Sequence, residues 1–350
     1  MNQDYKIIDN HVHIAGPGDH YKGEMFWSGK FEKGIGFQAL KIMKWWPWTK
    51  VTDKLMEDVL FKQVRKMKNV DKVTILAFDK AYLPDGRCLD DTGVQSTMYV
   101  SNKHVRDLCR KDKRLLFGLS VHPYRDDALE ELDEYQDEAV LCKLMPSAHL
   151  IDFTDPAAQP KLEKFYRKLA ELKLPLLLHV GVETSIPSPL DGYDKFNDPS
   201  YIVPALEAGV TVILAHCGCS YFDILQDNVV DAAIRLFEMQ KTDKSNWDLY
   251  ADISAVFSPF RLKKTVGKIF KNIPPDGLIY GSDFPNPGKA RGKIFLIPFL
   301  RYKKTNLLNR YFKISVNWLK YYFSKEEMDK IFTNFHRLLE RLGRDKTVIE

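Results

Sequence analysis

Short apolar runs rich in Val, Ile and Leu return eight times along the chain. They lie near residues 6–13, 72–78, 115–121, 139–144, 174–180, 210–216, 248–253 and 277–281. Several are almost unbroken, such as Leu174-Pro175-Leu176-Leu177-Leu178 and Val210-Thr211-Val212-Ile213-Leu214-Ala215. Runs of this kind suit parallel strands covered on both faces. Between most of them the spacing turns helical. Leu162, Phe165, Tyr166, Leu169 and Leu172 predict a helix over 156–172, with Asp155-Pro156 as N-cap and first-turn proline. Met328, Ile331, Phe332, Phe335, Leu338, Leu339 and Leu342 predict another over 325–342, opened by a capping box of Ser324 and Glu327. Eight such repeats predict an α/β architecture, a closed (β/α)8 barrel of the TIM type. An open doubly wound sheet is the alternative, weakened because no G-x-G-x-x-G follows the first strand.

Two segments exceed what a bare barrel needs. Residues 15–60, after strand 1, hold Trp27, Trp45, Trp46 and Trp48, four of the six tryptophans. Residues 284–323, after strand 8, mix Lys and Arg with Phe, Tyr and Trp. Long connections at the C-terminal face of a barrel are functional or form small subdomains. With no internal repeat and no low-complexity tract, residues 1–350 read as one barrel domain carrying two insertions.

Composition changes this picture little. The chain has 45% hydrophobic and 28% charged residues, and its 52 basic against 47 acidic residues leave a net charge of +5. That slight excess does not argue for nucleic acid and is compatible with an anionic small substrate. The cysteines Cys88, Cys109, Cys142, Cys217 and Cys219 are odd in number and lack C-x-x-C spacing, which points to reduced thiols. The start of the chain does not read as a signal peptide, and the apolar run Ile294 to Leu300 is too short to span a bilayer. A cytoplasmic protein is expected.

Chemistry enters at the strand ends. The first strand closes with Asp9-Asn10-His11-Val12-His13, and positions two apart on a strand share a face. Two imidazoles on one rigid strand end form a clamp for a divalent metal. Strand 5 ends in His179, strand 6 in His216 and strand 8 in Asp283, while strand 4 presents Lys143. Polar residues closing apolar strands are costly unless hydrogen-bonded or coordinated, and in a barrel these ends converge.

The motifs Ile8-Asp9-Asn10-His11-Val12-His13, Leu178-His179-Val180-Gly181, Ala215-His216-Cys217-Gly218 and Gly281-Ser282-Asp283-Phe284-Pro285 resemble those of the amidohydrolase superfamily. The resemblance runs from Ile7 to about Leu342 and is nearest to the branch with metal-dependent decarboxylases and hydratases. It implies His11, His13, His179 and Asp283 as metal ligands, with His216 holding a second ion or polarising substrate. It also implies two readings of Lys143: carboxylated and bridging two ions, or a free ammonium. The implied cofactor is a divalent metal, zinc or manganese, one ion or two. Asp283 would take a proton from water and return it to the leaving group, making Asp283 and His216 the catalytic pair. Asp9 is expected to tune a ligand from behind or to be a surface acid.

Weaker candidates surround this set. His122 reads as a structural histidine or a substrate contact, and Arg125 as a carboxylate clamp or a solvated charge. Glu183 is a general base, a substrate contact or an ordinary loop acid. Lys289 and Arg291 read as solvated loop charges, with contact to an anion as the alternative. The Trp45-Trp46-Pro47-Trp48 cluster could cover an apolar substrate or pack a subdomain or dimer contact. The stretch from Tyr302 to Phe323 is expected to lie as an amphipathic helix pair on the barrel, with membrane-surface binding as the alternative. The favoured function is hydrolysis of an amide, lactone or related carbonyl bond of a small molecule. A lyase on the same site is the second reading, disfavoured by Asp9 and Asn10 where related lyases often carry glutamate, and a non-catalytic binding barrel is the third. A homo-oligomer is open.

Overall fold

A computed structural model describes residues 5–34, 37–38, 41, 49–183, 185–219, 228–242, 246–258, 261–285 and 305–349. Trp45, Trp46, Trp48, Lys289, Arg291 and Tyr302 lie outside the described residues.

The apolar runs become β1 (Ile8–His13), β3 (Lys72–Leu76), β5 (Leu115–Leu119), β6 (Ala139–Leu144), β7 (Leu176–Leu178), β8 (Val212–Leu214), β9 (Leu249–Asp252) and β10 (Leu278–Ile279). These eight strands form one sheet in chain order, each parallel to its neighbours. Its two edges meet. Asn10 N donates to Tyr280 O at 3.2 Å, Asp283 N to His11 O at 2.9 Å and His13 N to Phe284 O at 3.0 Å. The fold is thus of the TIM type, as the recurrence of apolar runs predicts.

Two shells of apolar residues explain the near-continuous strands. A large cluster lies between the sheet and the surrounding helices. A second gathers Ile8, Leu116, Leu141, Leu177, Ile213 and Ile279, residues of six strands that can meet one another only inside the barrel. Phe335, Leu338 and Leu339 of the helix Lys325–Leu342 pack on this cluster. That helix carries the predicted capping box, with Ser324 and Glu327 each bonded to the other's backbone. Nearby, Arg344 gathers the carbonyls of Gln136, Ala139, Leu172 and Lys173 with its guanidinium.

Three features depart from the reading above. The helix predicted from 156 begins at Gln159, with Pro160 in its first turn. Asp155 instead accepts from Ala157 N at 2.8 Å in the preceding turn. The 15–60 segment contributes a strand, β2 (Met25–Trp27), which pairs antiparallel with β4 (Met98–Val100) from the loop after the second barrel strand. Neither short strand was expected. The loop leading to β2 is anchored by the buried carboxylate of Asp53, which accepts from Gly18 N, His20 N and Tyr21 N at 2.8, 2.8 and 2.9 Å. In the second insertion, the helix Leu307–Leu319 lies on the barrel, burying Leu308, Tyr311, Ile314 and Trp318. Its Tyr311 hydroxyl donates to Ile253 O at 2.7 Å. Among the described residues, no helix is long and apolar enough to cross a membrane.

Candidate metal centre

The inner face of the barrel dictates where the polar strand ends point. Leu141 and Leu177 face inward, so Lys143 and His179, two residues on, face inward one layer higher. In β1 the pairing register shifts between Asp9 and Val12. His11 and His13 then come together at the top, with their Nε2 atoms 3.1 Å apart. Asp283 reaches the same point from strand 8, its Oδ1 3.2 Å from His13 Nε2 and 3.7 Å from His11 Nε2. Asp283 and His216 both stand in left-handed backbone, with φ of 57° and 60°. Non-glycine residues rarely adopt it, and such strain clusters at functional sites.

Hydrogen bonds fix which nitrogens carry protons. His11 Nδ1 lies 2.8 Å from Asp252 Oδ2, an acceptor, so it holds the proton and its Nε2 lone pair faces His13. His216 Nδ1 lies 3.0 Å from the carbonyl oxygen of Ser254, so its lone pair is also on Nε2. The His11 and His216 rings stack 5.1 Å apart, and those of His216 and His179 meet edge-on at 5.2 Å. Burial, reinforced by Lys143, holds His11 at about 3, so its lone pair is available at neutral pH. Burial and the neighbouring His216 push His179 well below the ordinary imidazole range. Asp283 moves the other way. Burial alone would raise it, but the hydrogen bond to His13 and the surrounding imidazoles keep it ionised.

This donor set fits a divalent cation. The Nε2 lone pair of His11, a carboxylate oxygen of Asp283 and His13 Nε2 converge. Among the described residues, neither ring nitrogen of the buried His179 has a hydrogen-bond partner. Its nearest carboxylate, Glu183 Oε2, lies 3.5 Å from Nε2, too far for a hydrogen bond. A cation satisfies groups that are otherwise orphaned. Lys143 Nζ is equally buried and unpartnered among the described residues. Burial draws its ammonium down to about 8, with Asp252, Asp283 and Glu183 opposing.

The structure brings Glu183 to this cluster. Its Oε1 accepts from Ser185 N and from Ile186 N, the latter at 3.1 Å, and burial raises its carboxyl. Neighbouring loops brace that turn. Lys30 Nζ donates to Ser188 O, Thr97 Oγ1 to Pro187 O and Ser188 Oγ to Ser147 O, at 2.7, 2.6 and 2.7 Å. His122 and Arg125 are engaged elsewhere. His122 Nε2 donates to His149 O at 2.7 Å while Nδ1 accepts from Tyr124 N at 3.0 Å, which uses both ring nitrogens. Arg125 pairs with Asp79, Asp127 and Glu131 at 3.2, 2.7 and 3.4 Å. Asp9 is neither a surface acid nor a partner to an imidazole. It is fully buried, and its Oδ1 accepts from His11 N and Ser282 N at 3.2 and 2.9 Å, tying strand 1 to strand 8. The group behind His11 is Asp252, at the end of β9. The run Tyr250-Ala251-Asp252-Ile253-Ser254 carries the same signal as the other strands, polar residues two apart closing an apolar run.

Comparison with known proteins follows this geometry. The amidohydrolase family matches residues 79–332, a span that includes His179, His216, Asp252 and Asp283 but not His11 or His13. A TIM-barrel protein from Bordetella bronchiseptica superposes with a TM-score of 0.57 at 14% identity, over 97% of this chain and 100% of that one. Amidohydrolase 2 from Bifidobacterium longum subsp. infantis gives 0.50 at 15%, over 96% and 98%. A dihydropyrimidinase from Brevibacillus agri gives 0.54 at 13%, over 98% and 71%. At these identities the likeness is one of fold. No curated protein matches the sequence. A family match that runs from the loop after the second barrel strand into the last long helix makes this chain a member of the amidohydrolase family.

Proposed function

We propose that the protein is a metal-dependent hydrolase that adds water across an amide, lactone or related carbonyl bond of a small substrate. The observation that carries this reading is the meeting of His11 Nε2, His13 Nε2 and Asp283 Oδ1 at the barrel mouth. His11, His13, His179 and Asp283 would hold the cation, with His216 and a carboxylated Lys143 joining if there are two. Zinc or manganese suits imidazole with carboxylate. When bound, the cation supplies Lewis acidity that polarises a carbonyl and acidifies water.

The remaining chemistry falls to the chain's own residues. Asp283, kept ionised by its imidazole neighbours, accepts the proton of the attacking water and delivers it to the leaving group. His216 is limited by its tautomer. With Nδ1–H committed to Ser254 O, the neutral ring offers a lone pair at Nε2, as a ligand or proton acceptor. It could donate to a developing oxyanion only as imidazolium. Glu183, whose Oε2 lies 3.5 Å from His179 Nε2, would meet the substrate's polar groups.

The test is a product assay with zinc- or manganese-loaded protein against amides, lactones and aromatic acids. Appearance of a new carboxylate supports the proposal, and release of carbon dioxide from an aromatic acid would replace it with the lyase. Asp283→Asn should lower kcat by about 10²–10⁴-fold.

A further inference from the structure

One carboxylate behind the cluster touches two of its histidines at once. Asp252 is fully buried at the end of β9. Its Oδ2 lies 2.8 Å from His11 Nδ1, on the strand most distant in sequence. Its Oδ1 accepts from His216 N at 2.8 Å, from Ser254 N at 3.1 Å and from the Ser254 hydroxyl. Ser254 Oγ, its proton given to Asp252, stands 2.8 Å from His216 Nδ1. A carboxylate is acceptor-only, so every contact of Asp252 demands a proton on the other side. The bond to His216 N is made where the backbone enters its left-handed turn.

We infer that Asp252 is a positioning residue: it fixes the Nδ1–H tautomer of His11 and the turn carrying His216, so that both rings present Nε2 lone pairs to the cation site. The inference rests on the proposed cation site but concerns a residue that need not touch the cation. A ring nitrogen of His11, one of His216 and an Asp252 oxygen also lie within 4.8 Å of one another, which raises a competing arrangement with a cation among them. The hydrogen bonds argue against it. Both Nδ1 atoms face acceptors, Asp252 Oδ2 and Ser254 O, and so carry protons rather than lone pairs.

The substitution Asp252→Asn separates these arrangements. An amide has one acceptor oxygen, and three donors converge on the Oδ1 position. Keeping the oxygen there turns the amide N–H₂ on His11 Nδ1, which must then accept. The His11 proton moves to Nε2, into the place where the cation would sit. Two measurements test this. Titration of zinc or manganese into the metal-free full-length chain should show a 10–100-fold loss of affinity in Asp252→Asn relative to wild type, the range found when such outer partners of ligands are removed. Nitrogen-15 NMR of histidine side chains in the metal-free wild type should show His11 as the Nδ1–H tautomer, which needs no folded variant. Unchanged affinity in a folded Asp252→Asn protein, or His11 as the Nε2–H tautomer in the wild type, would overturn the inference. A wild type that binds neither metal but keeps the Nδ1–H tautomer would overturn the proposed function instead and leave the hydrogen-bonding role of Asp252 standing.

Discussion

At the residue scale the decisive question for each polar side chain is what its atoms already touch. Arg125 looks in the sequence like a clamp for a substrate carboxylate, yet it is committed to Asp79, Asp127 and Glu131. Arg125→Ala should therefore act on stability. It leaves the buried Asp79 carboxylate without its guanidinium, a loss on the order of 3 kcal/mol. Urea unfolding checks this, with KM for any substrate found expected to stay put. A raised KM at unchanged stability would return Arg125 to the binding site. His122 makes a prediction about pH. Burial keeps its ring neutral down to about 3, against 6.5 for an ordinary imidazole. Below 6.5 the unfolded chain takes up a proton that the folded chain refuses, so this group's contribution falls as pH drops, by about 1.4 kcal/mol per unit, until the folded ring protonates. Urea midpoints at pH 7 and pH 5 should therefore diverge more in the wild type than in His122→Asn, and parallel curves would contradict the buried neutral ring. The histidines and Asp283 were legible because each closes an apolar run. Asp252 carries the same signal but went unread. Its meaning lies in an imidazole 241 residues away, a distance that no local pattern spans.

At the scale of elements, what the sequence shows is periodicity, and what it hides is pairing. All eight barrel strands lie where apolar runs predict them, most trimmed by one or two residues at one or both ends where the chain turns into a loop. β2 and β4 are not legible, since their apolar stretches are three residues long with polar residues at both ends, unlike the longer runs around the barrel strands, and the two pair across more than 70 residues of chain. The helix starts at Gln159 and not at 156, because Asp155-Pro156 serves an isolated turn that imitates a cap. One glycine joins element packing to the site. A Cβ on Gly281 would stand 2.4 Å from Asn10 Oδ1 and 3.1 Å from His11 Cβ. Gly281→Ala should force strands 1 and 8 apart beneath His11 and Asp283. A loss of metal affinity of at least about tenfold is expected, because ligand placement tolerates only about 0.5 Å of error. Wild-type affinity in a folded Gly281→Ala protein would show that the strands do not transmit the displacement.

At the scale of the whole molecule, the barrel gathers side chains from five strands that would be unrelated in an open chain. His11, His13, Lys143, His179, His216 and Asp283 span more than 270 residues of sequence, yet all stand at the C-terminal mouth. The fold supplies this convergence and leaves the reaction to the loops, in keeping with a barrel fold that carries many chemistries. If this convergence holds a divalent cation, metal content per chain reads it out. Protein purified without added metal, or incubated with zinc or manganese and desalted, should carry about one or two ions. The double substitution His11→Ala with His13→Ala should carry none while keeping the circular dichroism of the folded barrel. A wild type that retains no metal, or a double variant that retains as much as the wild type, would show that these side chains do not form a cation site.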